Sequence, residues 1–265
     1  MPTPNEEETV VYAEERQQAM AQLVAERGRL SVAALAEAYD VTTETVRRDL
    51  SALERMGLVR RVHGGAVPAT SLAVIEAALS ERDNASTDEK DRIAAAAVDL
   101  LPPPGGTVLV DAGSTTARIV QHIPRDLPIS VFTHSVSVAS RLASHPSVEL
   151  HLLPGRVRGT TQAAVGPDTV SSLERLRVDV AFIGTNGLTV DHGLSTPDPE
   201  EAAAKRALVA AARRVVVLAD ASKLGVEATV RFASLEDVDT LVTDQAASES
   251  FLATLAETGL EVVRA

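Results

Sequence analysis

The sequence predicts an α/β protein in two parts: a small N-terminal winged helix-turn-helix domain, then a larger α/β domain. Three observations carry this. Val46, Leu50 and Leu53 recur at i, i+4 and i+7 in a stretch entered at Thr42 and closed at Gly57, with adjacent arginines, Arg47 and Arg48, near its start. The apolar residues at 58–62 and 66–67 flank Gly64-Gly65, the pattern of a β wing. From residue 88 onward, apolar strand candidates alternate with amphipathic helices, the sign of a largely parallel sheet.

Composition sets the outer bounds. The 265 residues, 45% hydrophobic, suffice for two domains with separate cores. No cysteine is present, so neither a disulfide framework nor a thiolate metal site is available. We read no signal peptide and no apolar run of roughly 18 residues that would span a bilayer, so a cytoplasmic protein without a membrane partner is expected. The net charge of −12 argues against a nonspecific nucleic-acid coat. Residues 41–67, however, hold five arginines against three acidic residues. A small local excess of positive charge suits a site-specific reader of DNA.

Along the chain, residues 1–12 carry Pro2, Pro4 and a glutamate run, and are expected to form a disordered tail. Ala19, Met20, Leu23 and Val24 make a helical stripe over 12–26, ended by Gly28. Ser31 is placed to cap a second helix over 32–39, with Leu35 facing in. Asp40 and Val41 turn the chain, and Thr42 caps the third helix. Two helices joined by a short turn, the second basic at its start, are the helix-turn-helix arrangement. Residues 13–68 thus form the DNA-binding domain, 69–86 a linker with a helical middle, and 87–265 the second domain. There, an Ala-rich helix over 88–101 stops at Pro102-Pro103-Pro104. Strands are expected at 107–111, 129–133, 148–153, 180–184, 214–219, 240–242 and 260–263, with helices at 115–122, 135–143, 169–176, 200–212 and 245–257.

Ligands of such sheets sit at the C-terminal ends of the strands. The turn Asp111-Ala-Gly113-Ser114-Thr115-Thr116 follows the first of them. Free amides at a helix start, three hydroxyls and the helix dipole would cradle a phosphate. The competing reading is that Ser114 or Thr115 only caps the helix. Four more strand ends are small or polar: Thr133-His134-Ser135, Pro154-Gly155-Arg156, Gly184-Thr185-Asn186-Gly187 and Asp220-Ala221-Ser222-Lys223. With Arg156 and Lys223, they describe a rim for a phosphorylated, hydroxyl-rich ligand. Lys205 is either part of it or a solvated helix charge, and Asp244 reads as a helix cap. On the DNA side, Arg47 and Arg48 would be assisted by Thr43, Thr45, Arg61 and His63; His63 alternatively sits exposed on the wing. The six histidines lack metal-ligand spacing, so neither metal nor cofactor is expected.

Thr45-Val-Arg-Arg-Asp-Leu, Leu53-Glu, Gly57 and Arg61-Val-His-Gly-Gly65 resemble the signature of DeoR-family bacterial transcriptional regulators. Glu89-Lys-Asp-Arg-Ile, Asp111-Ala-Gly-Ser-Thr-Thr, Thr133-His-Ser, Phe182-Ile-Gly-Thr-Asn-Gly, Gly193-Leu-Ser-Thr, Ala219-Asp-Ala-Ser-Lys-Leu-Gly and Val242-Thr-Asp resemble that family's sensor domain. The likeness covers about residues 13–265. It implies a sensor similar in fold to ribose-phosphate isomerase and glucosamine-phosphate deaminase. It implies a dimer or tetramer that represses a sugar uptake or catabolic operon and leaves operator DNA when a phosphorylated sugar binds. Two segments look like regulators of phosphotransferase-system sugars, which points to a fructose phosphate. By resemblance the helix-turn-helix motif spans about residues 30–49, with Leu30 at its start and Asp49 at its end, and Arg47 and Arg48 contact DNA. The effector site inherits Asp111, Gly113, Ser114, Thr115, Thr116, Ser135, Gly155, Arg156, Gly184, Asn186, Lys205 and Lys223. Departures lie on that rim: Pro154-Gly155 stands where Gly-Gly is common, His134 where Asn is common, and Gly113-Ser-Thr-Thr where Gly-Thr-Thr is commoner.

Two rival readings remain. A sugar-phosphate isomerase or deaminase with an accessory DNA-binding domain would use Asp111 or Asp220 as general base. An activator would share every residue with the repressor.

Overall fold

The computed structural model describes residues 13–27, 30–62, 64–68 and 79–265, in two compact units that divide after Leu72. The first holds α1 (Ala13–Arg27), β1 (Leu30–Ser31), α2 (Val32–Ala38), α3 (Thr43–Arg55), β2 (Val59–Val62) and β3 (Gly65–Pro68). Both expected caps form: Ser31 Oγ accepts the Ala34 N–H at 3.0 Å, and Thr42 Oγ1 accepts that of Thr45 at 3.1 Å. Met20, Val24, Leu35, Val46, Leu50, Leu53, Val59 and Ala66 close one core. The helical period that buries Val46, Leu50 and Leu53 turns Arg47 and Arg48 outward.

Asp49 lies on the buried side of α3. It accepts hydrogen bonds from Arg16 Nε at 2.7 Å and Gln17 Nε2 at 2.8 Å, clamping α3 to α1. The three strands pair antiparallel in the order β1-β3-β2. Gly64 makes the wing turn at φ +73°, whereas Gly65 is fixed by crowding: a Cβ there would lie 2.1 Å from the Leu30 carbonyl oxygen. His63, Gly28 and residues 69–78 of the expected linker lie outside the described residues.

Within that expected linker, which was to have a helical middle, residues 79–84 form a helix, α4 (Leu79–Asn84), and belong to the second unit. The chain continues through α5 (Thr87–Ala97), β4 (Thr107–Val110), α6 (Ile119–His122), β5 (Ile129–Thr133), α7 (Val136–Leu142), β6 (Val148–Leu152), β7 (Arg156–Val157) and β8 (Ala164–Val165). Then come α8 (Pro167–Glu174), β9 (Val178–Gly184), β10 (Gly187–Thr189), β11 (Gly193–Thr196), α9 (Pro199–Ala211), β12 (Ala212–Leu218), β13 (Val230–Ala233), β14 (Thr240–Thr243), α10 (Glu249–Glu257) and β15 (Glu261–Arg264).

Seven strands form a parallel sheet in the order β15-β14-β12-β9-β4-β5-β6. The chain fills one side of β4 with β5 and β6, then crosses to β9 and builds outward through β12, β14 and β15. That reversal between β4 and β9 is a topological switch point, which opens a crevice at the strands' C-terminal ends. Both faces are covered, as a parallel sheet requires. Val108, Val110, Val180, Phe182 and Val216 share a core with Ile93, Ile119, Val138 and Leu142 on the α5, α6 and α7 side. Leu109, Ala181, Ile183, Val215 and Val217 share the other with Ala202, Leu208, Leu252 and Leu255 of α9 and α10.

All seven parallel strands were legible in the sequence. The β7–β8 hairpin and the small antiparallel sheet β10-β11-β13 were not; their strands are two to four residues long and leave no periodic signal. The helix expected over 115–122 is also corrected. A 3-10 turn, Thr116–Arg118, leads into a single α turn, α6. Thr116 Oγ1 donates to the Asp111 carbonyl at 2.9 Å and lies 3.2 Å from that of Gly113, competing with helix formation.

Candidate functional site

The candidate DNA-reading surface of the first unit is the exposed face of α3. Thr43, Arg47 and Arg48 are exposed there. The side chains of Arg47 and Arg48, 55% and 82% exposed, each lie near Glu44, at 3.6 and 3.8 Å. Such solvated pairs are weak and exchange readily for a phosphate. Thr45 Oγ1 is 2.9 Å from Thr42 Oγ1, so its hydroxyl serves the cap. Arg61 is drawn back onto α3: its guanidinium donates to Ser51 Oγ at 2.9 Å, and Ser51 Oγ donates to the Arg47 carbonyl at 2.8 Å. This places the wing arginine beside the helical ones. Asp49, by contrast, is an internal clamp.

The second unit's crevice lies at the switch point. Gly113, Ser114, Thr115 and Thr116 line it after β4, Gly184, Thr185 and Asn186 after β9, and Leu218, Ala219 and Lys223 after β12. Glu201 and Lys205 enter from α9, and Arg82 and Lys90 from α4 and α5. Arg82, Lys90 and Glu201 were not among the expected site residues: Arg82 lay in the expected linker, and Lys90 stood in the sensor-like segment Glu89-Lys-Asp-Arg-Ile without a role.

Each crevice cation has a different set of partners. Lys205 Nζ, buried, donates to Asp111 Oδ2, and to the Gly184 carbonyl at 2.8 Å. Asp111 is fully enclosed beneath the crevice floor; its Oδ2 also accepts the Gly184 N–H at 2.9 Å. Burial alone would push the Asp111 carboxyl up, but the Lys205 ammonium and His134 more than offset it and hold it well below the usual carboxylate range. His134 Nε2 lies 3.0 Å from Asp111 Oδ1, and Nδ1 donates to the Ala164 carbonyl at 2.8 Å. Lys205 and Asp111 are therefore a mutually satisfied pair that joins β4 and β9.

Lys90 Nζ donates to the carbonyls of Arg82 and, at 2.6 Å, Ala85, which leaves one N–H. Burial pushes its pKa down to about 8; Asp220 opposes this, and Lys223, Arg118 and Arg82 add to it. Arg82 Nε and one terminal nitrogen are buried, and among the described residues no hydrogen-bond partner reaches them. Among the described residues no partner reaches the Lys223 ammonium or the hydroxyls of Ser114 and Thr115. The arrangement is an array of unused donors, three of them cationic, closed on one side by hydroxyls.

Several expected members are elsewhere. Ser135 is fully buried and caps α7, accepting the Val138 N–H at 3.3 Å. Gly155 packs against Thr169, and Arg156, 62% exposed, pairs with Glu200. Neither lines the crevice. The rim argument treated all strand ends as neighbours, but β6, which precedes Gly155 and Arg156, is the sheet's edge strand. Of the expected cradle at a helix start, only the macrodipole is corrected: α6 is one turn long, while Ser114, Thr115 and Thr116 do line the crevice.

A winged helix-turn-helix followed by an α/β unit with a donor-lined crevice is the architecture of a DNA-binding transcriptional regulator. Residues 16–71 match the DeoR-like helix-turn-helix domain and residues 85–245 the DeoR C terminal sensor domain. The chain belongs to the DeoR family. It is 40% identical over 230 residues to the HTH-type transcriptional regulator GlpR of Haloferax volcanii, covering 87% of this chain and 89% of that one. It is 29% identical to the glycerol-3-phosphate regulon repressor of Escherichia coli, over 87% and 90%. Ribose 5-phosphate isomerase A from Neisseria gonorrhoeae is a structural neighbour at 18% identity and TM-score 0.38, over 54% of this chain and 55% of that one. Among the described residues no helix is long and apolar enough to cross a membrane.

Proposed function

We propose that this regulator represses an operon of sugar uptake or catabolism as a homodimer or tetramer, and that a phosphorylated sugar bound in the crevice releases it from its operator. The single observation that carries the effector reading is Arg82: a guanidinium with buried, unpartnered N–H groups beside Lys90, Ser114 and Thr115. A buried cation without an acceptor is costly, and a phosphate satisfies it with charge-assisted hydrogen bonds. A relative named for the glycerol-3-phosphate regulon supports a phosphorylated polyol. A fructose phosphate is one member of that class to test.

Release requires several kcal/mol of difference in effector affinity between the DNA-competent and DNA-incompetent states. Arg82 is on the first helix after the segment that joins the two units, so its ligand is read close in sequence to that connection. The α4 N-terminus is fastened within the second unit, where the Leu79 N–H donates to the Thr160 carbonyl at 2.8 Å.

The two carboxylates that an isomerase or deaminase would have used as base are engaged in the fold. Asp111 is enclosed and ion-paired to Lys205, and Asp220 Oδ1 accepts from Ser222. We accordingly expect binding of sugar phosphates without turnover. The test is a gel shift on operator DNA with and without a panel of sugar phosphates, comparing the wild-type chain with Arg82→Ala. Release of the wild type by one of them, and its loss in the variant, supports the assignment. Release that is equal in both removes the crevice as the effector site.

A further inference from the structure

The crevice contains one group that a phosphate site does not call for. Among its lining residues Glu201 is the sole carboxylate, and it is buried. Its Oε1 accepts from Thr161 Oγ1 and is ion-paired with Arg158, which also reaches Asp198 at 3.2 Å. Among the described residues no partner reaches Oε2, and Glu201 borders the cavity. Glu201 is thus pinned by one oxygen and presents the other.

The walls of the crevice have different chemistry because they come from opposite faces of the sheet. Lys90 is on α5, whose Ile93 and Ala97 pack on one face, with Arg82 just before it in the chain. Glu201 is on α9, whose Ala202 and Leu208 pack on the other face. On that second wall Lys205, one turn beyond Glu201, is already neutralised by Asp111. Arg158 is shared between Glu201 and Asp198, so a bound ligand meets unused cations on one wall and a carboxylate acceptor with net negative charge on the other.

On the reading that the crevice takes a phosphorylated sugar, we infer that Glu201 is its specificity element: Oε2 accepts ligand hydroxyls and rejects ligands that carry a carboxylate opposite the phosphate. A carboxylate acceptor strengthens a hydroxyl hydrogen bond through its charge. The same charge, held in a poorly solvated wall, repels a second anion. The effector class narrows to phosphorylated polyols and ketoses that carry no charge besides the phosphate, and excludes sugar-acid phosphates.

The test is calorimetric titration of the full chain with matched pairs: glycerol 3-phosphate against 3-phosphoglycerate, and fructose 6-phosphate against 6-phosphogluconate. Fructose 1-phosphate and inorganic phosphate complete the set. The wild type should favour the neutral member of a pair by about tenfold or more, the scale of one charge-assisted hydrogen bond. Glu201→Gln, which keeps an oxygen for Thr161, should bring the two within about threefold, partly by tighter binding of the acid. Glu201→Asp, which keeps the charge but retracts it, should lose affinity for the neutral ligand without gaining any for the acid. A strap that only holds the fold would weaken both members together and leave their ratio unchanged in each variant; that result overturns the inference. If the ratio is unchanged while Arg82→Ala abolishes binding, the crevice stands and the role of Glu201 falls. Binding that survives Arg82→Ala, or a set in which nothing binds the wild type, overturns both.

Discussion

The two units use positive charge in opposite ways. In the first, Arg47 and Arg48 stand in solvent near Glu44. In the second, Lys90 and Lys205 are buried, and Arg82 has buried N–H groups that no acceptor reaches among the described residues. Exposed arginines stay hydrated until a polyanion arrives, and their binding is screened by salt. Buried cations have already lost their water, so they favour a compact anion that replaces it group by group. The same residue types thus suit a long duplex on one unit and, on the proposed function, a small ligand in the other, and the difference lies in what surrounds them.

The largest expected break in this comparison is Arg82→Ala. Losing two charge-assisted hydrogen bonds should weaken sugar-phosphate binding on the order of a hundredfold, while operator affinity without effector stays as it was. Calorimetry and a gel shift on the same preparation read both.

Gly65→Ala strikes the scaffold of the first unit. The new Cβ meets the Leu30 carbonyl backbone, which has no flexible end to move aside. We expect the first unit's thermal transition to fall while that of the sensor unit holds, seen by calorimetry or by hydrogen exchange of α1–α3 amides. An unchanged first transition would show that β1 can shift at little cost.

Arg47→Ala should lower operator affinity about tenfold or more with the melting temperature unchanged, because the side chain packs against nothing that the core needs. It should also reduce the dependence on salt concentration.

The smallest effect sharpens the comparison by pH. Lys90 holds its proton below about pH 8 and loses it above. Effector affinity should therefore be full near pH 7 and decline as pH rises through 8, by up to about tenfold per unit. Operator affinity, which depends on arginine, should stay flat over that window. A flat effector profile would take Lys90 out of the phosphate contacts.

Much of this was legible in the residues. Hydrophobic period alone placed α3 with its buried Val46, Leu50 and Leu53, and hence its outward arginines. Apolar runs placed all seven parallel strands, and the turn after β4 was found from its Gly-Ser-Thr-Thr composition. The site was legible only where strand-end chemistry and switch point coincide, at Gly113–Thr116, Gly184, Asn186 and Lys223. Arg156 and Ser135 carried the same polar signal, yet one belongs to the edge and the other to a cap.

What could be read in one dimension was local: the longer helices and the parallel strands, the caps at Ser31 and Thr42, and the family that the chain resembles. These depend on residues a few positions apart, whose period and chemistry survive in one dimension. Only the tertiary structure decided which charges are free. Asp111 meets Lys205 and His134, and Glu201 meets Arg158 and Thr161, across long stretches of chain. Burial and partnership decide whether a charge is a strut, a phosphate ligand or a hydroxyl acceptor, and both are properties of the folded chain.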